Sequence, residues 1–125
     1  MMTAPARYPG RAPIDAYGNG GFRFAGMSHR GSILCLPSGI YAWPPTRPEQ
    51  ISLAALEPAL TERDALALLL LGTGRVGGPP APELIEGCAK LGVAVEAMDT
   101  GAACRTYNVL LAEARPVAAA LIAVE

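Results

Sequence analysis

Two short segments contain the residues that are best suited to bind a ligand. The first is Gly72-Thr73-Gly74-Arg75, directly after the apolar run Leu68–Leu71, and the second runs from Asp99 to Asn108. Glycines let a ligand approach the main chain, a helix start presents free N–H groups, and arginine supplies positive charge. These features predict a site for a small anion, in which the N–H groups of Gly74, Ala102 and Ala103 would orient the ligand.

Each half of this anion site also has a purely structural interpretation. A Gly-Thr-Gly sequence is typical of a tight turn beside closely packed strands, and its spacing matches neither a dinucleotide fingerprint nor a phosphate loop. Arg105 lies in the first turn of the second segment, where a cation opposes the helix dipole and needs a partner. That partner is either a local carboxylate, Asp99 or Glu96, or a bound anion that Arg105 shares with Arg75.

Cys104 is the side chain in these segments that could act as a nucleophile. The helix dipole and Arg105 favour its thiolate and would lower its pKa. A cysteine nucleophile also needs a base, and the single histidine, His29, is predicted in a hairpin turn that would have to fold over the loops. Because buried cysteines are common as packing residues, we expect a structural role for Cys104 and predict no catalytic residue.

The remaining cysteines indicate neither a metal site nor a cofactor. Cys35, Cys88 and Cys104 form no CxxC pair, and one histidine cannot complete a metal site with cysteines so scattered. Cys35 lies within an apolar strand and Cys88 on the apolar face of a helix, so both are predicted core residues. An odd number of cysteines without a pairing pattern also fits a reducing compartment, the cytoplasm.

Asn108 and Trp43 each have two interpretations. Asn108 follows Arg105 by three positions, and its amide either faces the two loops or hydrogen-bonds to the backbone of an adjacent segment. Trp43, with Tyr41, is either the edge of the core or an exposed anchor for a protein partner. The candidate ligand-binding residues are Gly72, Thr73, Gly74, Arg75, Thr100, Ala103, Cys104, Arg105 and Asn108.

The elements that must position these residues are predicted to be α/β units. Apolar runs predict buried strands at residues 68–71, 93–95 and 117–124, and helical patterns run from Pro82 to Leu91 and from Thr100 to about Arg115. Because ligands of open α/β sheets bind outside the carboxyl ends of the strands, the two segments should lie side by side.

The first third of the chain is predicted to be β. Alternating patterns place antiparallel strands at residues 14–17, 22–24, 32–36 and 39–43, with turns at 18–21 and 27–31. A helix should begin at Ser52 and end early at Pro58. The residues therefore predict a small mixed sheet with helices on its faces and a β-meander attached.

Length and composition limit the remaining possibilities. With 125 residues, 51% of them hydrophobic, the chain is predicted to form a single domain over residues 14–125 behind a flexible tail over residues 1–13. A net charge of −1, without any block of like charge, argues against nucleic acid as a partner. Because no apolar run approaches the ~20 residues that cross a bilayer, we expect no integral membrane segment.

Several motifs together resemble those of a family of small domains of unknown function. They are Ile14-Asp15-x-Tyr17-Gly18, Gly21-Phe22-Arg23, Gly31-Ser32-Ile33-Leu34, Leu71-Gly72-Thr73-Gly74 and Ala102-Ala103-Cys104-Arg105-Thr106-Tyr107-Asn108, within a resemblance over residues 14–122. The family includes mitochondrial complex I assembly factor 3 and an adipogenesis-associated protein. The resemblance implies a three-layer α/β fold, with a mixed, mostly parallel central sheet flanked by helices and an added N-terminal antiparallel β-meander.

Two functional hypotheses follow. The resemblance implies a non-catalytic interaction protein that assists biogenesis of respiratory complex I by contacting its subunits, in the cytoplasm or peripherally at the inner membrane through that partner. Its contact surface would be an exposed apolar patch that includes Trp43 and the turn around His29. The residues alone support the alternative, a binder of a small anionic ligand, or an enzyme acting on one, between the Thr73 and Thr100 loops.

Overall fold

The computed structural model describes residues 6–125 and builds them from eight strands, three α-helices and two short 3-10 helices. The strands are β1 (Ile14–Gly18), β2 (Gly21–Phe24), β3 (Met27–Arg30), β4 (Ile33–Leu36), β5 (Gly39–Ala42), β6 (Leu68–Gly72), β7 (Ala94–Met98) and β8 (Val117–Leu121). The α-helices are α1 (Leu53–Leu60), α2 (Pro82–Ala89) and α3 (Thr100–Ala112), and the 3-10 helices are Pro48–Gln50 and Arg63–Ala65.

The central sheet has five strands in the order β5-β4-β8-β6-β7. β6 pairs in parallel with both β7 and β8, whereas β4 is antiparallel to β8 and to β5. The expected mixed central sheet is therefore confirmed, with its parallel part confined to β8, β6 and β7. The chain runs from β6 through α2 to the edge strand β7, and then returns through α3 to β8 on the other side of β6.

Alternating side chains of this sheet build two cores, one on each face. Leu69, Leu71, Ala118 and Ala120 pack with α1 and α2, whereas Leu70, Ala119 and Leu121 pack with α3 and with Phe22 and Phe24 of β2. Neighbouring strand residues point to opposite faces, so a run of consecutive apolar residues covers both at once. The three layers that the resemblance implies are present: α1 and α2, the central sheet, and α3 with the small sheet.

The N-terminal β region divides between two sheets. β1, β2 and β3 form an antiparallel three-stranded sheet of their own, whereas β4 and β5 belong to the central sheet. The turn predicted at residues 27–31 is wrong, because the chain already reverses at Ala25 and Gly26, whose φ angles are 51° and 75°. Two consecutive positive φ angles are typical of a tight hairpin turn, so residues from Met27 are free to form β3.

The prediction that Pro58 ends the first helix is also wrong. α1 begins with Ser52 as its N-cap, whose side chain accepts a hydrogen bond of 3.2 Å from the Ala55 N–H, but it continues to Leu60 with Pro58 inside. Ala59 and Leu60 are buried against the central sheet. In so short a helix a proline near the C-terminal end removes a single N–H donor, which this burial offsets.

The predicted tail lies partly outside the described residues, which begin at residue 6. Within the part that is described, the Ile40 N–H donates to the Tyr8 carbonyl over 2.9 Å, and the Arg7 N–H donates to the Ile40 carbonyl over 2.7 Å. Ala12 is buried in the core beneath α3. Arg7 and Tyr8 therefore pair with the outer edge of β5 at Ile40, while the domain boundary at residue 13 stays a prediction.

Candidate functional site

The two candidate loops lie side by side, as the parallel arrangement of β6 and β7 predicted. The register pairs Gly72 at the end of β6 with Met98 at the end of β7. The loop after β6 leads to α2 on one face of the sheet, and the loop after β7 leads to α3 on the other. Loops that diverge in this way open a crevice at the carboxyl edge, where α/β proteins commonly bind ligands.

Thr100 is the central hydrogen-bonding residue of this crevice. Its side chain is fully buried, and its Oγ1 donates to the Ile122 carbonyl over 2.7 Å while accepting the Gly74 N–H over 2.9 Å. The Thr100 N–H donates in turn to the Gly74 carbonyl over 2.8 Å. One side chain therefore joins the ends of three neighbouring strands, which satisfies polar groups that would be costly to bury unpaired.

The glycine-rich loop packs onto the end of β7. The Thr73 N–H and Oγ1 both donate to the Met98 carbonyl, over 2.9 Å and 3.1 Å. A side chain at residue 77 would lie 2.9 Å from the Asp99 nitrogen, and one at residue 72 would lie 2.9 Å from Leu121 Cδ2. Close packing against main-chain atoms therefore requires glycine at position 77, whereas a side chain at position 72 would need Leu121 to shift.

The start of α3 is capped from within the chain. Asp99 is the N-cap residue, and its Oδ1 accepts the Ala102 N–H over 2.9 Å while its carbonyl accepts the Ala103 N–H over 2.9 Å. The N–H groups of Gly74, Ala102 and Ala103, which were expected to orient an anion, all have partners within the protein.

The two arginines of the predicted site make separate contacts. Arg105 Nη1 donates to the Tyr17 hydroxyl over 3.4 Å, and Arg75 Nη2 donates to the Glu125 main-chain oxygen over 3.2 Å. Within residues 6–125, Arg105 therefore uses Tyr17 instead of Asp99 or Glu96. Arg75 lines a small open cleft of about 230 Å³ that also contains Asp99 and Glu125, whose carboxylates oppose the binding of an anion.

Cys104 is a core residue with a suppressed thiolate. It is only 2% exposed, and burial raises its pKa to about 12, although the charge of Arg105 acts in the opposite direction. The prediction that the helix start and Arg105 lower this pKa is wrong, because desolvation outweighs them. Cys35 and Cys88 are also buried, as predicted, and burial raises the pKa of each. The described residues contain no cluster of three or more metal-binding side chains.

The Asn108 amide hydrogen-bonds to the backbone of an adjacent segment, which is one of its two predicted roles. Its Oδ1 accepts the Ile14 N–H and its Nδ2 donates to the Ile14 carbonyl, both over 2.8 Å. This pair of bonds fastens β1 of the small sheet onto α3. The Asn108 side chain therefore contacts β1 and not the two loops. Its amide bonds to both the N–H and the C=O of Ile14, as the main chain of a neighbouring strand would do.

Trp43 belongs to the core and does not form an exposed anchor. It is 4% exposed, and its Nε1 donates to the Ala55 carbonyl of α1 over 2.8 Å. His29 lies in strand β3, 6.5 Å from the Phe24 ring between centroids, and burial and the nearby Arg7 lower its pKa. The expected contact patch built on Trp43 and a turn around His29 is therefore not formed.

Comparison with known proteins agrees with the motifs quoted above. A family model described as "Protein of unknown function (DUF498/DUF598)" matches residues 14–122. The chain belongs to this family. The match extends from β1 to Ile122, so it includes both loops and every strand. It also includes the hydrogen bonds from Asn108 to Ile14 and from Thr100 to Ile122. The resemblance to a family that includes complex I assembly factor 3 is confirmed.

Three relatives show how far the family likeness extends. An uncharacterised protein of Rhodobacter capsulatus is 40% identical over 98% of this chain and 93% of its own length. The NADH dehydrogenase [ubiquinone] 1 alpha subcomplex assembly factor 3 of Danio rerio is 36% identical over 87% of this chain, and the match spans 63% of that protein. A crystal structure from Bartonella henselae, described as an outer membrane protein, superposes with a TM-score of 0.92 at 53% identity, over 95% of this chain and all of that one.

These family members support the fold and a role in assembly at the level of the family. The eukaryotic assembly factors are longer, since the chain spans about 60% of the length of those it matches. No helix among the described residues is long and apolar enough to cross a membrane.

Proposed function

We propose that this DUF498/DUF598 protein is a non-catalytic assembly factor that assists biogenesis of a respiratory NADH:quinone oxidoreductase by binding its subunits. The observation that carries the proposal is the 36% identity to the zebrafish complex I assembly factor over 87% of this chain. Shared sequence over nearly a whole domain implies a shared surface, and function resides in such surfaces more than in the fold.

The state of the candidate site supports a binding role over catalysis. Burial raises the pKa of Cys104, and the N–H groups of Gly74 and Ala102 are bonded to the chain itself. An enzyme needs polar groups aimed at a reacting atom, and the N–H groups of Gly74 and Ala102 already have partners within the chain. We infer that the hydrogen bonds of Thr73, Gly74 and Thr100 hold the ends of β6, β7 and β8 together.

We place the protein in the cytoplasm, with peripheral attachment to the inner membrane through the subunits that it binds. No helix within residues 6–125 is suited to span a membrane, which agrees with this location. Fractionation of cells that carry a tagged chromosomal copy tests the proposal. Release from the membrane fraction by high salt supports peripheral attachment, whereas retention through carbonate extraction contradicts it.

The function itself is tested by deletion of the gene in an organism that makes this protein and such an oxidoreductase. We expect the amount of assembled oxidoreductase on native gels to fall, together with NADH-dependent quinone reduction by membranes. The wild-type gene and Arg105→Ala should restore both. Normal amounts of the assembled complex in the deletion strain would contradict the proposal.

The small-anion alternative remains a second hypothesis for the same loops. Arg75 at the cleft is the feature that favours it, and Asp99 and Glu125 in the same cleft oppose it. Native mass spectrometry of the freshly purified protein separates the two, because a bound anion that is lost in Arg75→Ala would require the anion hypothesis. A mass without additional ligand favours the assembly factor.

A further inference from the structure

The outer edge of β7 has unpaired main-chain groups. β7 is the last strand of the central sheet, and its register is with β6 alone. The Ala94 N–H donates to the Ala67 carbonyl, and the Met98 carbonyl accepts the Thr73 N–H, so residues 94, 96 and 98 direct their main-chain groups towards β6. Because these directions alternate along a strand, Val95 and Ala97 present their N–H and C=O groups outwards.

The opposite edge of the same sheet is covered. At β5, the chain itself supplies an additional pairing, in which Tyr8 forms a bridge with Ile40. Within residues 6–125 nothing equivalent covers β7. Exposed strand edges are templates for pairing with another chain, and natural proteins normally cover them or interrupt them with charge. The contrast identifies β7 as the free edge of the sheet.

The charge of Glu96 determines which strands can pair favourably with this edge. It is exposed at the centre of β7, between Val95 and Ala97. A second copy that paired antiparallel along the whole of β7 would be centred on Glu96 and would place two glutamates directly opposite each other. Like charges in that position are unfavourable, whereas an opposite charge is favourable by roughly 0.2–1 kcal/mol. The edge therefore disfavours its own copy and favours a strand with a basic residue at the centre.

The helix beside the edge adds an apolar contact. Thr106 Oγ1 lies 3.6 Å from Met98 Sδ, which places this face of α3 next to the end of β7. Val109 follows Thr106 by three positions on the same face and is 58% exposed. A strand paired with β7 would bring its side chains towards Val109, which adds buried apolar area to the main-chain hydrogen bonds.

We propose that β7 docks an extended segment of a different protein, which joins the central sheet as a sixth strand and carries a lysine or arginine opposite Glu96. The β7 proposal rests on the proposed function, because an assembly factor must bind a partner. It adds that β7 is the binding surface and that the bound segment of the partner is extended and basic at its centre. Main-chain hydrogen bonds to β7 supply the affinity for the partner strand. Glu96 selects strands with a basic residue and aligns that residue opposite itself.

Two synthetic peptides test the proposal on the isolated protein. Both are acetylated and amidated heptamers of alternating threonine and valine, one with lysine and the other with glutamate at the centre. We expect the lysine peptide to slow hydrogen exchange at the Val95 and Ala97 amides and to bind at least about threefold more tightly than the glutamate peptide. With Glu96→Lys the preference should reverse. Equal binding of both peptides, or protection elsewhere but not at β7, would overturn the proposal.

A proline variant tests the same edge with the protein partner. Ala97→Pro removes an outward N–H without removing a bond to β6, a position at which edge strands tolerate proline. Ala97→Ser is the matched control that keeps the N–H. With purified oxidoreductase subunits, we expect Ala97→Pro to lose at least about tenfold in affinity and Ala97→Ser to bind as the wild type does.

The outcomes separate the two proposals. Subunit binding that is equal in wild type, Ala97→Pro and Ala97→Ser would overturn the β7 proposal and leave the assembly function standing. If the subunits do not bind even to the wild type, the assembly function fails, and the peptide preference alone then decides whether β7 is a docking edge. Unchanged thermal unfolding of Ala97→Pro confirms that a loss of binding is local.

Discussion

The carboxyl-edge loops and the free edge of β7 differ in how their polar groups are used. At the loops, Thr73, Gly74 and Thr100 form hydrogen bonds with one another and with the strand ends. Along β7, the outward groups of Val95 and Ala97 have no partner among the described residues. At the loops, the N–H groups that were expected to bind an anion are bonded within the chain. The outer edge of β7 keeps main-chain groups without a partner among the described residues.

This difference shows that residue types alone do not locate a functional surface. Threonine, glycine, cysteine and arginine at two adjacent loops suggest reactivity, but their bonds serve the closure of the sheet. A strand of small residues suggests only packing, but its position at the end of the sheet leaves donors and acceptors open.

Thr100→Val should have the largest effect on stability. The variant removes a donor to the Ile122 carbonyl and an acceptor for the Gly74 N–H, and it leaves both buried without a partner. We expect the free energy of unfolding in urea to fall by about 2–4 kcal/mol. Thr106→Val, whose hydroxyl contacts only Met98 Sδ, is the control. A loss below about 1 kcal/mol would show that the loops are not held together by Thr100.

Asn108→Ala should loosen the small sheet from α3. Both bonds to Ile14 are lost, so we expect a decrease of about 1–3 kcal/mol in the free energy of unfolding, with faster hydrogen exchange in β1 than in β6. Binding of the lysine peptide at β7 should not change. If stability is unaffected, Asn108 is free for another role.

Individual strands and helices could be predicted more readily than the order of the strands in the sheet. Apolar runs located β6 and β8, and the rule for parallel strands placed Gly72 beside Met98. The short run Val93–Val95 and the longer run Val117–Val124 were both predicted as buried strands, and the order of the strands in the sheet was not predicted. That order depends on where α2 and α3 cross, which is a tertiary property.

The sequence correctly predicted that the two loops lie side by side, but not the contacts that their residues make. The local features around Cys104 favour a thiolate, and only the packed structure shows that desolvation dominates. Likewise, the partners of Arg105 and Asn108 are Tyr17 and Ile14, about 90 positions earlier in the chain. Contacts at such separations leave no signal in the local pattern, so the sequence left these alternatives open.

The thiol of Cys104 should be unreactive in the native protein at neutral pH. Its folded-state pKa of about 12 lies above the value of about 8.5 for a free cysteine, so the group contributes stability that is complete below about pH 8.5 and is lost as the pH rises towards 12. Alkylation by iodoacetamide, followed by mass spectrometry of the native protein, should modify this residue only after unfolding. Rapid alkylation at pH 7 would restore the nucleophile hypothesis.

Arg105→Ala should have the smallest effect. The guanidinium is exposed and its recorded bond to the Tyr17 hydroxyl is long, at 3.4 Å, so we expect stability to change by no more than about 0.5 kcal/mol. Phosphate added to millimolar concentration should raise the unfolding temperature of neither the wild type nor the variant. A phosphate-dependent increase that disappears in Arg105→Ala would favour the anion hypothesis.

Hydrogen exchange of the free protein, resolved at single amides by NMR, tests the comparison most directly. We expect the amides of Thr73, Gly74, Thr100 and Ala102 to exchange slowly, because each is bonded within the chain, and those of Val95 and Ala97 to exchange much faster. Protection at Val95 and Ala97 equal to that at Gly74 would contradict the account, because the edge of β7 would then already be paired.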